Sequence, residues 1–110
     1  MTPGAFAIMH GELQPWPTKE RLATVLREAG FDVYVGRYSV RIEGIRSSIS
    51  FEHYGGDISA PTLAADAEHV EDLCHDAARL SAALSAARQA HLFEVYDGND
   101  QLAACFPVHK

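Results

Sequence analysis

The chain has 110 residues, enough for one domain with its own core and too few for a second. An apolar fraction of 47% excludes a disordered chain, and a net charge of −6 argues against nucleic acid and anionic membranes as partners. Acids and bases balance up to Gly55, so the whole net charge lies beyond it, where nine acids from Asp57 to Asp100 oppose only Arg79, Arg88 and Lys110.

The two cysteines, Cys74 and Cys105, form no CxxC pair and have no histidine at metal-ligand spacing, which suits a reduced compartment. No stretch reaches the roughly 20 apolar residues of a membrane span. Residues 5–9 are apolar, but too short for a signal-peptide core and not preceded by a base. A soluble, cytoplasmic chain is expected.

In chain order, residues 5–10 read either as a short strand or as an apolar lead-in. Pro15-Trp16-Pro17 is a stiff connector. Thr18 is placed to cap a helix whose apolar residues Leu22, Val25, Leu26 and Ala29 recur at i, i+3, i+4 and i+7. Gly30 ends it, with Phe31 positioned for the accompanying apolar contact.

Two hairpins follow. A two-residue turn at Gly36-Arg37 would pair Val35 with Tyr38, Val33 with Val40 and Phe31 with Ile42 on one face, and Asp32 with Arg41 on the other. A turn at Glu43-Gly44 sends Ile45, Ile49 and Phe51 inward and Arg46, Ser48, Ser50 and Glu52 outward. It also sets Arg41 opposite Arg46, a like-charge pair that costs stability unless Asp32, or a carboxylate or phosphate from a ligand or partner, lies between them.

His53-Tyr54-Gly55-Gly56-Asp57 reads as a loop. A long helix is expected from about Thr62 to about Gln89, roughly 40 Å at 1.5 Å per residue, with Leu63, Ala67, Val70, Leu73, Ala77, Leu80 and Leu84 facing inward. Acids gather in its first half and bases in its second, complementing the helix dipole. At that length it would overhang its own sheet. The last hairpin covers residues 91–96 and 101–106, pairing Val95 with Leu102 and Phe93 with Ala104. Its second face carries Leu92, Glu94, Tyr96, Ala103 and Cys105, far less polar than the outer face of the first hairpin.

These elements predict an α+β two-layer sandwich, an antiparallel sheet with two helices on one face, in the order (β)-α-β-β-β-α-β-β. That element order resembles class I type III secretion chaperones, in topology alone and without their closing helix. The resemblance implies a small acidic homodimer that binds extended segments of another protein.

No convergent catalytic set stands out, and no metal or cofactor is expected. Glu68, Glu71, Asp72 and His75 share one helix side but read as a solvated face. The small-residue stripe Ala78, Ala82 and Ala86, with Leu92, Tyr96 and Cys105, marks a candidate dimer interface. Tyr34, Ser39, Arg41, Arg46, Ser48, His53 and Asp57 are candidates for binding a ligand or partner. The expected function is a non-enzymatic protein-binding or regulatory module, homodimeric and chaperone-like or immunity-like. The alternative is a small ligand-binding domain or enzyme using the His53/Asp57 loop or the Arg41/Arg46 sheet face.

Overall fold

In a computed structural model, which describes residues 6–54 and 60–107, the elements run β1 (Ala7–Leu13), α1 (Lys19–Glu28), β2 (Asp32–Val35), β3 (Val40–Glu43), β4 (Ser48–Glu52), β5 (Thr62–Ala67), α2 (Val70–Ala86), β6 (His91–Tyr96) and β7 (Leu102–Phe106). The strands make one antiparallel sheet in the order β2-β3-β4-β5-β1-β6-β7. Both helices pack on one face, as the α+β two-layer pattern predicts.

Residues 7–13 are a strand, and an interior one, paired with β5 and β6. Ala7, Met9 and Leu13 point into the core, and Ile8, His10 and Glu12 point away from it.

The end of α1 follows its sequence signals closely. Thr18 Oγ1 accepts from the Arg21 N–H at 3.1 Å. Gly30 takes φ +95°, letting its own N–H reach Arg27 O and the Phe31 N–H reach Leu26 O, both at 3.0 Å. Phe31 is thereby buried, with the Arg79 guanidinium 4.6 Å above its ring.

The expected long helix is overturned in its first half. Residues 62–67 form β5, and α2 begins only at Val70, with no side-chain cap from His69. Leu63, Ala65 and Ala67 alternate inward, and Thr62, Ala64 and Asp66 alternate outward. The same residues fit a helical stripe. The vacant edge of β4 on one side and β1 on the other decide for the strand, because each backbone group then finds a ladder partner. At 17 residues α2 is about 25 Å long and has no overhang to hide. Its inward residues Leu73, Ala77, Leu80 and Leu84 are fully buried, as the periodicity requires.

All three hairpins shift in register, and most of the residues expected inward remain so. The turn after β2 spans residues 36–39, closed by the Gly36 N–H to Ser39 O, so Val35 pairs with Val40 and Tyr34, not Asp32, with Arg41. Arg41 pairs onward with Ser50, not Arg46, because residues 44–47 make a longer connection than a two-residue turn. In the last hairpin Val95 pairs with Ala104 and Phe93 with Phe106, and an irregularity beside Tyr96 sets it opposite Leu102. The regular slips are by an even number of residues across the pair, so Val33, Ile42, Ile49, Phe51, Phe93 and Val95 stay inward. Two expected inward residues do not: Tyr38 falls in the turn at 52% exposed, and the irregularity beside Tyr96 turns Leu102 onto the opposite face at 55% exposed. Ile49 and Phe51 are fully buried.

Candidate interaction surface

Both helices lie on one face, and among the described residues no helix or strand covers the other, here called the bare face. Along β1 and β6 three cross-strand pairs stand on it: Ile8 opposite Tyr96, His10 opposite Glu94, and Glu12 opposite Leu92. Beyond β6 the edge strand adds Cys105 beside Glu94 and Leu102 beside Tyr96. On the other flank Asp66 lies between Ile8 and Ser48. Ile8, Leu92 and Leu102 are 36%, 40% and 55% exposed, a concentration of aliphatic surface on one face.

His10, Gly11, Glu12, Leu92 and Glu94 line a shallow depression of about 210 Å³ on this face. The His10 ring meets the Tyr96 ring edge-on at 5.6 Å, and the Tyr96 hydroxyl donates to Glu94 Oε1 at 3.4 Å. Burial, and after it the neighbouring Glu94 carboxylate, hold the Tyr96 phenol above its ordinary pKa. The depression is open, and His10, Glu12 and Glu94 bring one imidazole and two carboxylates to its lining.

Leu92, Tyr96 and Cys105, expected at an interface, therefore do share one surface. Ala78, Ala82 and Ala86 are exposed on α2, in the other layer. The two groups cannot belong to one contiguous patch. Ile8, His10 and Glu12 were missed by sequence reasoning, although the alternation through Ala7-Ile8-Met9-His10 was the available signal.

The remaining candidates are dispersed. Arg41 bonds Glu43 at 3.1 Å and lies 4.9 Å over the Tyr34 ring. Arg46 sits in the β3–β4 connection, 3.6 Å from Asp72 of α2, so the Arg41/Arg46 pairing is corrected. Ser39 closes the β2–β3 turn, and Ser48 opens β4 beside Asp66. His53, at φ 61°, bonds Thr62 Oγ1 through Nδ1 at 2.9 Å. Asp57 lies outside the described residues.

One hydroxyl–imidazole pair escaped the sequence reading. His91 Nδ1 donates to Gln89 O at 2.8 Å, which fixes the tautomer and leaves Nε2 to accept from Ser81 Oγ at 2.7 Å. This is the wiring of a nucleophile and base, but Ser81 is 5% exposed and wedged between α2 and β6. It ties two elements together. Among the described residues, no group of three His, Cys, Asp or Glu side chains is arranged to hold a metal ion, and no helix is long and apolar enough to cross a membrane.

Comparison of the chain with protein-family models, curated proteins and solved structures returns no match. With β1 ahead and β5 inserted before α2, the observed element order also departs from that of the secretion chaperones.

Proposed function

We propose that this chain is a small acidic protein-binding or regulatory module without catalytic activity, chaperone-like or immunity-like in its mode of action, and that it works as a homodimer. The observation that carries the reading is the bare sheet face, where Ile8, Leu92 and Leu102 stand exposed beside the Glu12, Asp66 and Glu94 carboxylates. A two-layer domain has no third layer of its own to cover such a face.

Self-association is supported by the sheet's last edge. The strand β7, Leu-Ala-Ala-Cys-Phe, carries no charge and no proline, the two devices that ordinarily blunt an edge. The opposite edge is guarded: β2 has four residues, and Arg27 Nη2 donates to Val33 O at 3.1 Å. Antiparallel pairing of two β7 strands would continue the sheet across a twofold axis without opposing like charges.

Light scattering on the eluting peak of a sizing column tests this. The expected mass is twice the 12.0 kDa of one chain, returning to one chain in Leu102→Lys. A wild-type mass of one chain at high micromolar concentration removes the homodimer.

A further inference from the structure

The strands β1, β4, β5, β6 and β7 contain no lysine or arginine. Their acids are Glu12, Glu52, Asp66 and Glu94, and the strand alternation places all four on the bare face. Glu12 and Glu94 flank the shallow depression, with Leu92 between them across the ladder. Glu52 and Asp66 continue the negative stripe onto β4 and β5. Among the described residues two imidazoles temper it locally, His10 on β1 and His53, which bonds the outward Thr62 opposite Glu52. Arg41, on β3, is already held by Glu43 and by the Tyr34 ring.

This charge pattern decides what can sit there. A second copy stacked face to face would bring the four carboxylates against their own images while desolvating them, which opposes association. A polyanion is repelled for the same reason. A neutral apolar partner would cover Leu92, Ile8 and Leu102 but strand the carboxylates without counter-charge. What satisfies both components is a segment that alternates cationic and aliphatic side chains, each base meeting Glu12, Glu94, Asp66 or Glu52 and each aliphatic group meeting Ile8, Leu92 or Leu102.

We infer that the bare sheet face binds a basic polypeptide segment, lysine- or arginine-rich with aliphatic anchors. The inference rests on the protein-binding reading above and names the partner's chemistry.

The test is an amide-resolved NMR titration of the full chain with short peptides of alternating lysine and leucine and of alternating glutamate and leucine. The lysine peptide is expected to shift amides of β1, β5 and β6, with binding about tenfold weaker at about 300 mM salt than at about 50 mM. Glu12→Gln with Glu94→Gln should weaken it about threefold or more, while Glu71→Gln with Asp72→Asn on α2 should leave it unchanged. Equal binding of the two peptides, or equal loss in both double variants, overturns the preference for a basic partner and leaves protein binding standing. If neither peptide shifts the sheet amides, the binding reading itself fails with it.

Discussion

Gly11 and Phe93 face each other across β1 and β6, and a Cβ on Gly11 would fall 2.4 Å from Phe93 Cδ1. The Phe93 ring occupies the space a side chain would need, and Leu63 Cδ2 and the Leu92 carbonyl close it from two other sides at 2.8 and 2.9 Å. Phe93 is fully buried, so the ring has nowhere to retreat. Gly11→Ala should cost about 1–3 kcal/mol by overpacking. Thermal unfolding checks this, with a fall in Tm of about 4 °C or more expected.

Asp76 is a buried carboxylate on α2, and its Oδ2 accepts the Ser47 N–H at 2.9 Å. This bond docks the β3–β4 connection onto the helix, beside the exposed Arg46–Asp72 contact. Asp76→Ala leaves the Ser47 N–H buried without a partner and should destabilise by about 1–3 kcal/mol. Asp76→Asn keeps an acceptor and should lose clearly less. Denaturant unfolding of the two variants, with similar m-values, distinguishes them.

Tyr54 is buried against Trp16, their rings edge-on at 6.1 Å, and its hydroxyl has no hydrogen-bond partner among the described residues. Burial pushes its pKa from 10.0 up to about 12. Between those values the unfolded chain has released a proton that the folded chain still holds, so stability is intact below pH 10.0 and declines from there to about pH 12. Tyr54→Phe removes an unpartnered hydroxyl and keeps the ring. It should leave neutral-pH stability unchanged or slightly raised, and should flatten the alkaline decline. Unfolding free energies measured across that range decide the matter.

Arg88 follows α2 at φ 59°, with the Gln89 N–H returning to Leu84 O at 2.8 Å and its own N–H to Ser85 O at 3.0 Å. This is the closing turn that glycine makes at Gly30, here forced on a residue with a Cβ. Arg88→Gly should stabilise by about 1 kcal/mol, since the side chain is exposed. A lower Tm would show that Arg88 contributes something beyond its backbone.

How much the sequence discloses depends on how local the deciding physics is. The α1 cap and its glycine stop are legible because Thr18, Gly30 and Phe31 act within one turn of the helix. Hairpin faces are legible because alternation survives a shift of register, whereas the registers depend on turn lengths that Arg37, Tyr38 and Ile45 do not announce. Residues 62–67 mislead because alanine fills both a helical stripe and a tightly packed strand. Ala65 and Ala67 are small since Met9 and Ala7 stand directly beside them under the helices. The bare face stays hidden for a different reason: His10 and Glu94 are distant in sequence, and no local pattern says that their strands are neighbours.

The placement of β1 has a consequence for assembly. Its two ladders, to β5 and to β6, are the hydrogen-bonded seam between the first four sheet positions and the last two. A nascent chain must keep Ala7–Leu13 with one edge unclaimed until Tyr96 has been synthesised. Loop closure across nearly the full length must then precede completion of the sheet, the regime of slow folding. A chain cut after α2 would leave that edge of β1 without its β6 partner, open to pairing with another strand.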